Sequence, residues 1–270
     1  FDSDSWAVDG TYYVNPIDDN DGPYELASFL NPTTRVSAAA SELHYDSFDG
    51  PTAYTLDAAY VLPGDKWYVG ANYSKTDMDW PPPVTRDDEN GYGLLAGRYL
   101  GANTTLELGL GRSEHRMERF VCQPFVPCTL DLEVIPYAEK TTTDSVSLDV
   151  FHVRRFRSLT YSLQGGVSQS EAEKDVVSPV LSLVPSSAGD AGSLRVYSVA
   201  GELFPSDRIG VRVGYSQPDY GAGNDVQTYD ITATWFFKPR VAVQFGLSRT
   251  SIDDIASEPE TIAVRFIGRL

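Results

Sequence analysis

The chain has only two cysteines, Cys122 and Cys128, in 270 residues. That is too few for a disulfide scaffold, though enough for one local bridge in an oxidising compartment. Histidine is as scarce, with His44, His115 and His152 only. Basic side chains are in deficit: 21 Lys and Arg against 38 Asp and Glu give a formal net charge of −17. This balance excludes a general nucleic-acid binder, which must neutralise phosphates with clustered Lys and Arg. No apolar run approaches the 18 or so residues of a spanning helix, and the mean hydropathy is −0.25. Neither a Gly-x-Ser-x-Gly elbow nor a phosphate-cradling glycine loop occurs. Phe1 is not preceded by a start Met, a basic stretch or a signal-like apolar core, so any export signal is expected to be already removed or never to have been there. What the chain does hold is 41% hydrophobic and 12% aromatic residues, including 16 Tyr, too rich for a disordered polymer.

These apolar residues follow a period of two, the signature of strands with unlike faces. Tyr54, Leu56, Ala58, Tyr60 and Leu62 alternate with Thr55, Asp57 and Ala59, then Pro63-Gly64-Asp65 turns the chain into Trp67, Val69, Ala71 and Tyr73. The unit recurs at Tyr92 to Leu110, Val146 to Val167, Tyr197 to Tyr215 and Tyr229 to Leu247, and a last strand carries Ile262, Val264 and Phe266. Between the hairpins lie longer acidic connections: Asp77 to Asn90, Glu118 to Thr143, Glu171 to Gly192, Gln217 to Asp225 and Asp253 to Glu260. Alternation of short and long connections is the habit of membrane barrels, which carry short turns on one rim and long loops on the other. Aromatics flank both kinds of connection, with Tyr60, Trp67, Tyr99, Phe156, Phe204, Trp235 and Phe237 by the short turns and Tyr73, Tyr92, Tyr215 and Tyr229 by the long loops. Two interfacial belts are expected. Basic residues such as Lys66, Arg98, Arg154 and Arg208 collect at the short-turn rim and carboxylates at the loops, where they serve solubility or attract cations by their field.

The residues between the apolar ones carry the functional expectation. They include Asp57, Glu107, Asp149, Gln164, Glu202, Arg212, Asp230, Thr232, Thr234, Gln244 and Arg265. Ionisable groups are rarely buried without partners, so this face is expected to line water while lipid covers the other. Asp57, Glu107, Asp149, Glu202, Arg212, Asp230 and Arg265 are the expected pore-lining set. Either they form a selectivity ring or they pair across the lumen and stiffen the wall.

The expected fold is therefore an all-β, antiparallel up-and-down transmembrane barrel, one domain over residues 1–270. Thirteen strands are legible, beginning at Ser5 to Val14, Thr34 to Asp46 and Thr52 to Leu62. Bacterial single-chain barrels have even counts, so about 14 strands are expected, with a first ascending strand missing or a first segment outside the wall. The segment Gly10-Thr11-Tyr12-Tyr13-Val14-Asn15-Pro16, followed by Gly22-Pro23-Tyr24-Glu25-Leu26-Ala27-Ser28-Phe29-Leu30, resembles a stretch of uncharacterised porins of Gram-negative bacteria. There a descending strand leads into a short periplasmic segment, and an ascending strand usually precedes it. The resemblance covers about a tenth of the chain, whose final Leu270 departs from the aromatic that usually ends such barrels. It implies a bacterial outer-membrane location, with the lipid bilayer and lipopolysaccharide as surroundings.

Cys122 and Cys128 lie five residues apart in a long loop, and a disulfide there is expected to stabilise by about 2 kcal/mol. A metal pair is disfavoured because no His ligand lies near, and a redox role because the spacing is not Cys-x-x-Cys. Around His44, the segment with Ser41, Asp46 and Ser47 holds the residue types of a hydrolase, against the simpler role of a rim or lumen histidine. The leading expectation is a non-enzymatic, cofactor-free channel for small polar or cationic solutes. The alternative is a plugged barrel that engages a partner protein through its loops. A homo-oligomer fits either.

Overall fold

Residues with strong period-two patterning cannot satisfy backbone hydrogen bonds alone, and they do so by closing a sheet on itself. The computed structural model describes residues 3–14, 23, 26, 33–45, 48–64, 66–78, 84–121, 135–157, 159–177, 189–219, 226–238, 241–252 and 260–269. Thirteen strands form one closed barrel: β1 (Ser3–Tyr13), β2 (Arg35–Tyr45), β3 (Phe48–Val61), β4 (Trp67–Asp77), β5 (Val84–Tyr99), β6 (Thr104–Val121), β7 (Ile135–Phe156), β8 (Leu159–Val177), β9 (Gly189–Ser206), β10 (Ile209–Asp219), β11 (Val226–Lys238), β12 (Val241–Ile252) and β13 (Glu260–Arg269). Sequence neighbours pair antiparallel throughout. The odd count makes β1 and β13 run in the same direction, so the closing seam is parallel, from Ala7 opposite Arg265 to Thr11 opposite Arg269. The wall thus closes with the thirteen legible strands, and the parallel seam takes up the odd parity.

Short turns end the strands on one rim. At the first, Gly64 adopts φ 77°, a conformation other residues resist, and the Leu62 N–H donates to the Trp67 carbonyl at 3.0 Å. On the outward face the alternating apolar residues stay exposed in the isolated chain, among them Leu94 at 65%, Val199 at 55% and Phe245 at 54%. A water-soluble fold would cover so continuous an apolar surface, whereas a barrel in a bilayer leaves it to hydrocarbon. Tyr60, Trp67, Phe156, Trp235 and Phe237 ring the short-turn edge of this band, with the Arg98 guanidinium 5.2 Å from the Trp67 ring centroid. Tyr73, Tyr92, Tyr215 and Tyr229 ring the other edge, paired at centroid distances of 5.3 Å (Tyr73 with Tyr92) and 5.1 Å (Tyr215 with Tyr229).

Two of the aromatics expected in the lower belt are not in it. Tyr99 and Phe204 are only 8% and 2% exposed, because each shares its parity with lumenal residues of its own strand and points inward. Tyr68, Val153 and Phe236 are also buried at the short-turn end of the interior. Leu26, from the connection between β1 and β2, packs into this layer against Val153 and Phe204, with Phe151 alongside, and its N–H donates to the Pro23 carbonyl at 2.9 Å. The interior is therefore not wet from end to end: it has an apolar floor.

At the opposite end the strands outrun the expected loops. β5 to β9 have 16, 18, 22, 19 and 18 residues, whereas a tilted crossing needs about 9–11. Much of Asp77 to Asn90, Glu118 to Thr143 and Glu171 to Gly192, expected as loop, is strand that projects beyond the tyrosine ring. Outside hydrocarbon both faces are wet, so the apolar alternation that marks a strand fades.

Candidate functional site

The site is the lumen above the floor. Asp57 (β3), Glu107 (β6), Asp149 (β7), Glu202 (β9), Arg212 (β10), Asp230 (β11) and Arg265 (β13) all fall on the strand face opposite the exposed apolar residues. Within the membrane band Asp9 on β1 and Arg35 on β2 share that face. Neither stands out in the sequence, although Asp9 sits between Val8 and Gly10 with the same alternation, its exposed neighbours being Trp6, Val8 and Tyr12.

Register sets which of these charges meet. Glu107 lies directly opposite Asp149, and Glu202 directly opposite Arg212. Arg265 reaches across the parallel seam, where its Nε–H donates to Asp9 Oδ1 at 2.5 Å and joins the first and last strands. The Tyr68 hydroxyl donates to Glu107 Oε2 at 2.8 Å and holds that carboxylate against the wall. Among these named charges the carboxylates Asp9, Asp57, Glu107, Asp149, Glu202 and Asp230 outnumber the guanidiniums Arg35, Arg212 and Arg265. The arrangement mixes pairing with like charge: Asp9 with Arg265 pins the wall, while Glu107 and Asp149 are like charges side by side.

Small residues keep these groups flat against the sheet. A Cβ at Gly166 would collide with the Asp149 carboxylate, and one at Gly214 with that of Asp230, so each acid lies over the bare backbone of the adjacent strand. A barrel of this strand number is about 25 Å across between backbones, and among the described residues these side chains lie close to the wall. One lumenal cavity of about 300 Å³ is lined by Arg35, Tyr68, Glu107, Asp149 and Gln164 just above the floor. Another of about 280 Å³, lined in part by Asn72, Ser74, Gly93, Ser145 and Ser147, continues it towards the tyrosine ring.

The histidines engage other partners. His115 Nε2 lies 2.6 Å from Asp87 Oδ1 on the projecting part of β5 and β6, and His152 Nδ1 is 2.9 Å from the Thr104 hydroxyl near the short turns. His44 Nδ1 is 3.7 Å from Glu42 Oε1. Asp46 and Ser47, and the expected disulfide between Cys122 and Cys128, lie outside the described residues.

Outside the membrane band, charge pairs tie the projecting strands together. Arg86 holds Asp88, whose carboxyl is kept below the usual carboxylate range by that hydrogen bond. Lys140 Nζ lies 2.9 Å from Glu114 Oε2 and lowers the Glu114 pKa likewise, while on the inner face Lys174 Nζ lies 2.6 Å from Glu139 Oε1.

A closed barrel with an apolar exterior between two aromatic rings and a charged interior defines a class, the transmembrane β-barrel of the outer-membrane kind. Solved structures agree on the fold. The chain is similar to the outer membrane protein Omp33 of Acinetobacter baumannii, at 17% identity and a TM-score of 0.58 over 99% of this chain and 95% of that one. It is also similar to the β domain of the Bordetella autotransporter BrkA, at 12% identity and a TM-score of 0.50 over 87% of this chain and 90% of that one. No protein-family model matches the chain, and neither does any curated protein.

Proposed function

We propose that the protein is a porin-like channel of the Gram-negative outer membrane, passing small polar solutes with a preference for cations and with flow limited at its floor. The observation that carries this reading is the surplus of carboxylates among the named lumenal charges, with Glu107 beside Asp149 just above the layer that Leu26 joins. Charged rings of this kind set ion preference, and apolar constrictions gate by expelling water. Passage then needs no catalysis and no cofactor. The test is conductance in a planar bilayer. Discrete, cation-preferring events are expected, rarer in the native chain than in Leu26→Asp, which wets the floor. The preference falls when Asp57→Asn, Glu107→Gln and Asp230→Asn are combined. A barrel silent in both the native chain and Leu26→Asp overturns transport.

One observation favours a second reading. The buried floor and the tall rim of β5 to β9 suit a closed barrel that presents its projecting strands and loops to a partner protein. Silence in the bilayer together with a co-purifying chain is the outcome that selects it. A trimer or other homo-oligomer is compatible with both readings.

A further inference from the structure

The lumen holds one guanidinium whose place in the wall gives it no hydrogen-bonded partner. Arg35 opens β2 just above the floor, and the positions directly opposite it are Tyr13 on β1 and Ala59 on β3. Asp57 is only its diagonal neighbour, and Arg35 makes no hydrogen bond or ion pair among the described residues. It lines the cavity of about 300 Å³ together with Glu107 and Asp149, so one cation and two carboxylates face a single space. The two acids are opposed in register, and opposed side chains of an antiparallel pair have Cβ atoms about 5 Å apart. The Tyr68 hydroxyl occupies one oxygen of Glu107 and leaves the second. Tyr68 and Tyr99, with ring centroids 5.4 Å apart, and Phe151 give the same cavity an aromatic side.

We infer that this cavity binds a free amino acid with an apolar side chain: its carboxylate on Arg35, its ammonium between Glu107 and Asp149, and its side chain against Tyr68, Tyr99 and Phe151. This names a solute for the passage proposed above and rests on that reading. The charge pattern selects the class. A metal ion or a simple amine would answer the two acids and leave the guanidinium without a partner, and a simple anion would do the reverse. An ammonium has three N–H donors, enough to serve two carboxylates, and the fork of a guanidinium matches a carboxylate. Size points the same way. A volume of about 300 Å³ is at the lower end of the range of small-molecule pockets, which suits one amino acid rather than a peptide or an oligosaccharide.

The test is calorimetric titration of the full chain in detergent micelles with L-leucine and with its two one-charge analogues, isoamylamine and 4-methylpentanoate. Leucine is expected to bind about tenfold more tightly than either, which is the usual contribution of one charge-assisted contact. Arg35→Gln makes leucine no better than isoamylamine, and Glu107→Gln with Asp149→Asn makes it no better than 4-methylpentanoate. Arg112→Gln on the outward face changes neither preference. Heat-modifiable migration of each variant verifies that it folded. Failure of the native chain to bind leucine, isoamylamine binding as tightly as leucine, or a preference untouched by Arg35→Gln overturns the proposal. Conductance of the same protein separates this inference from the channel reading. A conducting barrel that does not bind leucine removes the amino-acid site alone, whereas a silent barrel that binds it removes transport and keeps the site.

Discussion

The two ends of this barrel obey opposite rules. At the short-turn end the interior is dry: Phe204, Phe236 and Val153 are almost fully buried, and Leu26 comes from outside the wall to complete the layer. At the long-loop end β5 to β9 run on past the tyrosine ring as a sheet wet on both faces, held by pairs such as Lys140 with Glu114 outside and Lys174 with Glu139 inside. The same strands therefore pass through three media. What stabilises a side chain changes from apolar contact to lipid to cross-strand charge within one strand, so a residue's worth depends on its height as much as on its face.

Substitutions matched for strand and face sharpen this contrast, and the largest effect is expected at the floor. Phe204→Ala, which empties a buried position, should lower unfolding free energy by about 3–5 kcal/mol, whereas Ser198→Ala on the same face of β9 should change it by no more than about 0.5. Urea titration of the vesicle-embedded protein measures both, and equal losses would mean that the floor is not packed. Next comes the boundary of the membrane band. Leu148→Arg on the outward face of β7 should cost about 2–4 kcal/mol, the usual penalty for a basic side chain at mid-bilayer depth. Thr142→Arg, six residues up the same face, should stay within about 0.5 kcal/mol. A comparable penalty at both positions would move the bilayer up to the projecting sheet.

The smallest effect is local and set by pH. The hydrogen bond from Arg86 keeps Asp88 ionised below the usual carboxylate pKa of about 4. A depressed pKa contributes stability that is fully present above that ordinary value and is lost as pH falls through the folded-state value. Amide exchange over Val84 to Asn90 should accordingly quicken in acid below about pH 4, relative to the intrinsic rate, while the amides of Phe204 and Phe236 stay protected. Equal protection at both ends throughout would show that the charge pairs do not hold the projecting strands.

Within the membrane band the alternation was fully legible. Leu106, Leu108 and Leu110 against Glu107 and Gly109 read as one greasy and one polar face, and the strands lie where that pattern put them. Legibility failed wherever the medium changed. Val84 to Asn90 and Ile135 to Thr143 read as loop because charges occupy both faces of a sheet that water surrounds. Tyr99 and Phe204 read as belt residues because proximity to a turn does not tell which way a ring points; parity with Gly97 and Glu202 in the same strands would have told it. Within the site, Asp9 and Arg35 were missed as single charges on strands whose apolar pattern was weak, yet Asp9 is the partner that Arg265 finds.

Sequence alone determined the class of architecture, since a period of two with ionisable residues on one face and aromatic edges on the other has one stable arrangement in a bilayer. Only tertiary structure decided the register that sets Glu107 beside Asp149 and Glu202 beside Arg212, the parallel seam and the dry floor. The reason is that periodicity is a property of neighbours along the chain. Register, closure and the reach of Leu26 into the lumen depend on residues brought together from far apart in it, with no local mark to announce the meeting.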